Sequence, residues 1–542
     1  MSCLRTISQA RISRTRLPST TAIHRCTRTL SYTPTPQKST DPNSRDRWNY
    51  NESSLFDISE SSSSNSSHTT NWRRVTSTHL AKTATKEPPR RVKMLSRDFI
   101  DDSLYNPYYG YFPKQATIFT PETPFEFGSI PNSRVFQQAV AERYREYRVE
   151  AGIGTGPGRQ VWHTPTELFK PYYGHAITQC LVSEYLLKYF PYEDFIIYEI
   201  GAGNGTLAEN VLDFLQSEHP IVYERTKYRI IEISKSLAQK QIERLERRHA
   251  GAVDVVHRSV FDWTEREPAP CFFLAMEVID NFAHDIIRYD TQSLTPLQAI
   301  VTIDSLGDFT ELYEPAHDPL IHRFLSLQSR THRTPPALSP SLTNNAFTRA
   351  IRPYLPFAPN MTQREFIPTR LVQFLTVLKD KFPRHRLLLS DFSSLPDTIP
   401  GYNAPVVQTR VGDVMVPCET YLVHQGYFDI FFPTDFELLR DMYECIVGAG
   451  GGSGETGDDA RASPLASVAS PMRLGSNFFS AQGRRRPVEG VLSASGLAVG
   501  ERKSNVYTHR EFLEKYADLD ATTLQNGENP MLDFYQNVKF LF

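Results

Sequence analysis

The chain has 542 residues, of which 40% are hydrophobic and 12% aromatic, enough for one large domain with additions or for two domains. Its formal net charge is -2, which gives no overall electrostatic attraction to nucleic acid. No run approaches the roughly 18 uncharged apolar residues of a membrane-crossing helix, so we expect no transmembrane segment.

The amino-terminal region differs in composition from the rest of the chain. Its first 40 residues are rich in arginine, serine and threonine, and no acidic residue occurs before Asp41. This composition is typical of a mitochondrial transit peptide, which we assign to residues 1–45. Residues 46–93 are polar and serine-rich, a composition that favours a disordered linker because it offers little apolar surface to bury.

The remainder divides into a cap segment and a core. We assign residues 94–190 to an N-terminal cap segment with an insertion, and residues 191–542 to the core. A glycine-, serine- and alanine-rich stretch at about 448–505 is expected to be a disordered insertion in that core.

The cysteines and the isolated acids suggest no metal site. Six cysteines are present without a C-x-x-C motif or a His/Cys cluster, so neither a disulfide framework nor a bound metal is expected. Glu167 and His175 stand alone in the sequence, and we expect ordinary structural roles for both.

The most informative stretch is a glycine-rich turn between a predicted strand at 195–198 and a helical pattern that begins at Leu207. Glycines at alternate positions let the backbone turn sharply and let a ligand lie against the main chain. The acidic residue before the first glycine suits a ligand that carries an amine. The turn comprises Glu199, Gly201, Ala202, Gly203, Gly205 and Thr206.

Two other nucleotide-binding motifs fit this turn less well. The dinucleotide fingerprint G-x-G-x-x-G would need a glycine where the chain has Thr206. A phosphate-binding P-loop is excluded because no Lys-Ser/Thr pair follows the turn. A hydride-transferring dehydrogenase is therefore disfavoured.

The next two predicted strands each end near a carboxylate. The strand at 228–233 carries Glu232 and Ile233 at its end, where a carboxylate can bind both hydroxyls of a ribose. The strand at 253–257 is followed by Phe261 and Asp262. In nucleoside-binding α/β domains, a carboxylate here can accept the adenine amino group while Phe261 or Trp263 packs on the ring.

A fourth predicted strand, 271–275, is followed by Glu277 and Asp280. Ligands of open α/β sheets bind beyond the carboxyl ends of the strands, where these two residues are expected. Two carboxylates there can bind the fork of N–H donors on a guanidinium and help to accept the proton that it loses.

The order of these features favours one fold class. Strands and helices alternate as in a doubly wound α/β domain. The E-x-G-x-G-x-G turn looks like the first motif of class I S-adenosyl-L-methionine (SAM) methyltransferases. We therefore expect a Rossmann-like α/β fold with a seven-stranded sheet, a helical N-terminal cap over the cleft, and SAM as the cofactor.

With these residues in view, the chain resembles the MidA-like family of mitochondrial complex I assembly factors, which are SAM-dependent protein arginine methyltransferases. The resemblance is discontinuous from about residue 95 to the last residue. It is carried by 103–112, which looks like the opening L-x-N/H-P-x-x-G-Y-Y segment, by 164–168, by E-x-S-x-x-L at 232–237, by E-x-x-D at 277–280 and by the closing segment 531–541.

The resemblance implies an activity and a location. It implies symmetric dimethylation of arginine in a complex I (NADH dehydrogenase) subunit as a step in complex I assembly, in the mitochondrial matrix. Glu277 and Asp280 would be catalytic, and the partner would be a protein substrate rather than nucleic acid. The cofactor-binding set would be Glu199, Gly201, Ala202, Gly203, Gly205, Thr206, Glu232, Ile233, Phe261 and Asp262.

Near the substrate-facing acids the chain departs from the family pattern. Met276 replaces the usual Asn or His before Glu277, and Ala283 and Asp285 occupy the following Pro and His positions, with His284 displaced by one. These departures leave open a SAM-binding assembly chaperone without catalysis, or a methyltransferase with a different acceptor. An RNA acceptor is disfavoured because the mature chain has no basic stripe with interleaved aromatic residues.

Overall fold

The fold is that of a computed structural model, which describes residues 72–83, 85–115, 117–150, 161–343, 347, 349, 352, 359–412, 414–448 and 504–542. The predicted transit peptide lies outside these residues, as does nearly all of the predicted insertion at 448–505. Among the helices that are described, none is long and apolar enough to cross a membrane.

The described strands are short to medium in length. In chain order they are β1 (Arg73–Arg74), β2 (Val92–Leu95), β3 (Thr117–Ile118), β4 (Val161–Trp162), β5 (Phe195–Ile200), β6 (Thr226–Glu232), β7 (Val253–His257), β8 (Cys271–Met276), β9 (Asp285–Tyr289), β10 (Pro296–Ile303), β11 (Phe309–Pro315), β12 (Glu365–Ile367), β13 (His385–Phe392), β14 (Val406–Val411), β15 (Val414–Cys418), β16 (Asp429–Phe431), β17 (Val506–Thr508) and β18 (Val538–Leu541).

The α-helices of the same residues surround and connect these strands. They are α1 (Ser77–Lys82), α2 (Ser96–Tyr105), α3 (Tyr111–Gln115), α4 (Ser133–Glu150), α5 (Pro165–Leu168), α6 (Tyr172–Lys188), α7 (Thr206–Glu218), α8 (Pro220–Tyr223), α9 (Lys235–His249), α10 (Pro319–Arg330), α11 (Pro340–Thr343), α12 (Thr369–Lys381), α13 (Phe436–Gly448), α14 (His509–Tyr516) and α15 (Pro530–Asp533).

The main sheet contains the four strands that the sequence predicted, β5 to β8. Within the described residues it has seven strands in the order β17-β18-β13-β8-β5-β6-β7. The five strands from β13 to β7 run parallel, and β18 pairs antiparallel with β13 and with β17. The parallel strands therefore end together at one edge, where ligands of such sheets bind.

The central strands are apolar because both faces of the sheet are covered. Every residue of β5 is buried, as is every residue of β8 except Met276. On one face, Tyr198 stacks on Phe273, and both rings pack against Phe382 at the end of α12. Continuous apolar runs of this kind are typical of parallel strands between helical layers.

Observed boundaries lie close to those expected. Strand β5 extends to Ile200, two residues beyond the predicted end, so Glu199 belongs to the strand. The second strand is Thr226–Glu232 rather than 228–233, and Ile233 follows it. Helix α9 begins after Ser234, whose side chain accepts a hydrogen bond from the amide of Leu237 and caps the helix.

A second, antiparallel sheet was not expected from the sequence. Strand β10 lies at its centre, with β11 along one edge and β2 and β9 sharing the other; β12 then pairs with β9. The N-terminal cap segment thus holds strands as well as the expected helices, and β2 hydrogen bonds to a strand of the assigned core. Residues 72–93, the end of the assigned linker, contain β1, α1 and the start of β2.

Two smaller sheets complete the fold. Strands β15, β14 and β16 form an antiparallel sheet, and β3 pairs with β4 in parallel. Both sheets contribute residues at the carboxyl edge of the main sheet, as the contacts below show.

Candidate active site

The glycine turn joins β5 to α7 and adopts a conformation that few other residues tolerate. Gly201, Gly203 and Gly205 all have positive φ, at 66°, 56° and 77°. A Cβ atom at Gly201 would lie 2.8 Å from Val278 Cγ2, and one at Gly203 would lie 2.6 Å from Ile118 Cδ1. The backbone conformation therefore favours glycine at both positions, and a Cβ atom would in addition force Val278 to move at Gly201 and the tip of Ile118 to move at Gly203.

A buried glutamine connects this turn to the second strand. Gln241 of α9 is fully buried, and its Nε2 donates to the carbonyl oxygen of Gly203 at 2.8 Å and to Glu232 Oε2 at 3.0 Å. The other carboxylate oxygen of Glu232 accepts the amide of Ser234 at 2.8 Å. Glu232 is thus held at the end of β6, beside the glycine turn.

Glu199 lies on the neighbouring strand in a similar setting. Its side chain is buried, and Oε2 accepts a hydrogen bond from the hydroxyl of Tyr228 at 2.7 Å. Burial, with a smaller contribution from nearby Glu232, raises the pKa of this carboxyl to about 7.

The residues predicted to bind adenine are more exposed. Ile233 is 47% exposed and Asp262 is also exposed, whereas Phe261 is half-buried. Phe261 packs against Phe282 with ring centroids 5.5 Å apart, and the Arg370 guanidinium lies 5.5 Å from its ring centre. These residues therefore lie at the margin of the site, beyond the ends of β6 and β7.

Glu167, which the sequence suggested to be an ordinary residue, is a buried junction between the N-terminal segment and the glycine turn. Its Oε1 accepts hydrogen bonds from Thr206 at 2.6 Å and from Thr120 at 3.1 Å. Its Oε2 accepts from Lys170 at 3.4 Å. Thr206 also accepts a hydrogen bond from Arg244 at 2.8 Å, so its hydroxyl is fully engaged by protein groups.

The two predicted catalytic acids lie at the end of β8. Glu277 has a φ of 55°, and its amide donates to the carbonyl of Ser390 on β13 at 2.8 Å. Both of its carboxylate oxygens are buried, as are both of Asp280, and none of these four atoms has a hydrogen-bond partner among the described residues. A non-glycine residue at positive φ with an unpaired buried carboxylate is characteristic of a functional site.

Two further acids, which the sequence analysis missed, join them. Asp391 near the end of β13 accepts the amide of Asp280 at 3.0 Å and the amide of Phe392 at 2.8 Å. Asp429 at the start of β16 accepts the side-chain amide of Asn281 at 3.2 Å. We refer to Glu277, Asp280, Asp391 and Asp429 as the acid cluster.

Burial and mutual repulsion disfavour the charged forms of the acid cluster. Burial raises the pKa of Glu277 to about 7, with a further contribution from Asp280. The pKa of Asp280 is raised to about 6 by burial. Asp391 and Asp429 have pKa values well above the usual range, because both are buried and both face Asp280.

The neighbouring residues that depart from the family pattern have structural roles. The ring of His284 stacks on Phe432 at 3.8 Å, and its Nδ1 lies 2.8 Å from the carbonyl oxygen of Phe282. Burial lowers the pKa of His284 to about 3, so it stays neutral in the core. Asp285 is buried as well and accepts hydrogen bonds from Arg97 and Thr369.

The donor set fits a nucleoside that carries an amine, and does not fit a metal ion. Three glycines without side chains and two buried carboxylates, on Glu199 and Glu232, lie at the ends of adjacent strands. No group of His, Cys, Asp or Glu in the described part of the chain is arranged to hold a metal ion. The fold and the site together define an α/β protein with a candidate ligand-binding site at the carboxyl edge of its main sheet.

Comparison with known proteins agrees with this class. A family model described as "Putative S-adenosyl-L-methionine-dependent methyltransferase" matches residues 176–450, which is half of the chain. The chain belongs to this family of SAM-dependent methyltransferases, and SAM is its cofactor.

Two individual proteins are similar to this chain at low sequence identity. The chain is 26% identical over 365 residues to the protein arginine methyltransferase NDUFAF7 homolog, mitochondrial, of Schizosaccharomyces pombe, which covers 66% of this chain and 76% of that protein. A Burkholderia thailandensis crystal structure with bound S-adenosyl-homocysteine is similar at 15% identity and a TM-score of 0.41, covering 65% of this chain and 72% of that one.

Proposed function

We propose that the protein is a mitochondrial SAM-dependent arginine N-methyltransferase that symmetrically dimethylates a complex I subunit in the matrix and so supports complex I assembly. The observation that carries the proposal is the buried, unpaired carboxylates of Glu277 and Asp280 at the end of β8. The name of the S. pombe relative supports both the arginine acceptor and the mitochondrial location.

We also propose that the seven-stranded sheet is the class I methyltransferase sheet. Its support is the strand order, in which β6 and β7 lie on one side of β5, the strand before the glycine turn, and β8, β13, β18 and β17 lie on the other side. We also propose the division of the chain into a transit peptide, a linker, a cap segment and a core. The linker would end before residue 72, because β1 begins at Arg73.

The cofactor supplies an activated methyl group when it is bound. In the proposed site, Gly201, Ala202, Gly203, Gly205 and Thr206 form the turn that approaches it. Glu199 and Glu232 would accept hydrogen bonds from its amine and hydroxyl groups, and Ile233, Phe261 and Asp262 would border its base. Since the cofactor is already activated, the protein contributes mainly proximity and alignment.

The chain's own acids would act on the acceptor arginine. Asp280 holds the guanidinium in place through charge-assisted hydrogen bonds. Each of the two methyl groups goes to a different terminal nitrogen of the guanidinium, and that nitrogen loses one proton. A carboxylate oxygen of Glu277 accepts that proton, since a group with a pKa of about 7 can both take up and release a proton near neutral pH.

One measurement on the full-length chain and one on mitochondria that lack it test this function. Calorimetry should detect binding of SAM and S-adenosylhomocysteine, and methyl-arginine proteomics should identify complex I peptides that lose symmetric dimethylation in mitochondria lacking the protein. Restoring Glu277→Gln to those mitochondria should not restore the mark. If the cofactor binds, no arginine mark changes and Glu277→Gln restores complex I assembly, the protein is a non-catalytic assembly chaperone instead.

A further inference from the structure

Asp429 is the member of the acid cluster that belongs to a strand outside the main sheet. It is the first residue of β16, which pairs antiparallel with β14 in the three-stranded sheet, with Gln408 opposite Asp429. The residue is fully buried. Its Oδ1 accepts the hydrogen bond from Asn281, whereas its Oδ2 is buried without a partner among the described residues.

Several hydrogen bonds fix Asp429 relative to Asp280. The side-chain amide of Asn281 donates both to Asp429 and to the carbonyl oxygen of Ile430, at 3.2 and 3.1 Å. The amide of Phe432 donates to the carbonyl oxygen of Asp280 at 2.7 Å. The two carboxylates are therefore held by one rigid junction between β16 and the turn after β8.

Asp391 has a different role in the acid cluster. Its two carboxylate oxygens accept the amides of Asp280 and Phe392, so both are used within the protein. Asp391 thus positions the turn that carries Asp280. The oxygens that remain unpaired belong to Glu277, Asp280 and Asp429.

These unpaired oxygens lack a cation. No ion pair within the described ranges involves any member of the acid cluster, although arginines elsewhere in the fold pair with buried acids such as Asp101 and Asp285. Leaving several buried carboxylates unpaired is costly, and a bound cation would relieve that cost. The acids are not arranged as a set of metal ligands in the part of the chain described, which points to an organic cation.

We propose that Asp429 is a substrate-binding residue that, together with Asp280, holds the guanidinium of the acceptor and makes the site selective for arginine over lysine. This inference rests on the proposed function. A guanidinium is planar and presents N–H donors along more than one edge, so carboxylates from two separate elements can bind it at once. The ammonium of lysine is compact and has only three donors, and it would leave part of the acid cluster unpaired.

The test uses methylguanidinium and methylammonium as probes of the full-length protein saturated with S-adenosylhomocysteine. Wild-type protein should bind methylguanidinium at least about 10-fold more tightly than methylammonium, because more charge-assisted hydrogen bonds form. Asp429→Asn should weaken methylguanidinium binding by about 10-fold or more and should reduce this preference, with unchanged S-adenosylhomocysteine affinity. Asp254→Asn, which removes an exposed acid of β7, is the matched control and should bind like the wild type.

The outcomes separate the inference from the function on which it rests. If the wild type binds methylguanidinium and folded Asp429→Asn binds it equally well, the role of Asp429 is overturned while the guanidinium site stands. If the wild type binds no methylguanidinium, the proposed function fails as well. Should Asp429→Asn fail to fold, Asn281→Ala decides, because it keeps the Asp429 carboxyl but removes its anchor; it should weaken binding several-fold, and wild-type affinity would overturn the proposal.

Discussion

At the scale of single residues, the site is built from acids that the protein itself does not neutralise. Glu277 and Asp280 are buried without ion-pair partners in the described structure. Most buried polar atoms in proteins are hydrogen bonded, so this arrangement is expected to lower stability; in the proposed site it leaves the carboxylates available to an arginine guanidinium. Two predictions follow from the raised pKa values.

Asp280→Asn should stabilise the protein above neutral pH. The pKa of Asp280 is about 6 in the folded state, above the value of 3.8 for an ordinary aspartate, so folding favours the protonated form. Its favourable contribution is complete below the unfolded pKa and is lost as the pH rises through about 6. The asparagine variant should therefore gain about 1–3 kcal/mol at pH 8 and little at pH 4. Denaturant unfolding at both pH values measures this, and equal effects at the two pH values would contradict it.

The methylation rate should depend on the protonation of Glu277. Because the carboxylate is the form that accepts a proton, kcat should rise with pH through an apparent pKa of about 7 and then level off. Glu277→Gln should lower kcat by about 100-fold or more and remove this inflection, while S-adenosylhomocysteine affinity stays unchanged. A variant that keeps the wild-type pH profile would show that another group accepts the proton.

At the scale of elements, the glycine turn is held between the N-terminal segment and helix α9. Ile118 of β3 lies against Gly203 on one side, and Gln241 of α9 donates to its carbonyl oxygen. The turn is therefore not an independent loop. Its conformation depends on elements distant in sequence.

Gly203→Ala should weaken cofactor binding far more than an equally strained substitution elsewhere. Gly251→Ala is the matched control, since Gly251 also has a positive φ, of 85°, but a Cβ there would meet nothing within 4 Å. Both variants should lose about 1–2 kcal/mol from backbone strain. Only Gly203→Ala, with Ile118 Cδ1 at 2.6 Å, should also lose S-adenosylhomocysteine affinity in calorimetry, by about 10-fold or more. Equal affinities in the two variants would refute this role of the turn.

Glu167→Gln should destabilise the contact between the N-terminal segment and α7. The substitution leaves the buried Lys170 without its carboxylate, and loss of one partner of a buried ion pair costs about 3–5 kcal/mol. Glu167→Gln combined with Lys170→Met removes both charges and should recover much of that loss. Thermal unfolding of the three proteins measures the effect. A double variant less stable than Glu167→Gln would show that the ion pair itself is not the cause.

At the scale of the whole molecule, the main sheet is completed by two strands, β17 and β18, that follow residues 449–503 in the chain. Strand β17 begins at Val506 and pairs with β18, which pairs in turn with β13. Just before β17, the amide of Ser504 donates to Glu444 Oε1 of α13 at 3.2 Å. The described residues on either side of the segment 449–503 are thus close together.

Replacing residues 449–503 with a short glycine-serine linker should therefore preserve the fold and the site. Closing a loop costs free energy that grows only slowly with loop length, so a shorter loop between nearby ends should not destabilise the sheet. The Tm should stay within a few degrees of the wild-type value, and S-adenosylhomocysteine should bind as before. Loss of cooperative unfolding in this variant would show that the segment contributes to the core.

The sequence predicted the parts of the fold that depend on local patterns. The glycine turn, the strands β5 to β8 and the acids at their ends follow from periodicity and from backbone requirements that neighbouring residues set. Some missed residues also left a local signal. Gln241 is a polar residue on the apolar face of α9, and Asp429 interrupts the apolar run around β16.

Only the tertiary structure decided which of these residues meet. The antiparallel sheet around β10 joins strands more than 200 residues apart, and the contacts of Glu167 and Asp429 likewise depend on elements that are remote in the chain. Periodicity specifies which face of an element is buried, but not which distant element covers it. The class of enzyme can thus be inferred from local motifs along the chain, whereas the full acid cluster exists only after three separate strands, β8, β13 and β16, have come together.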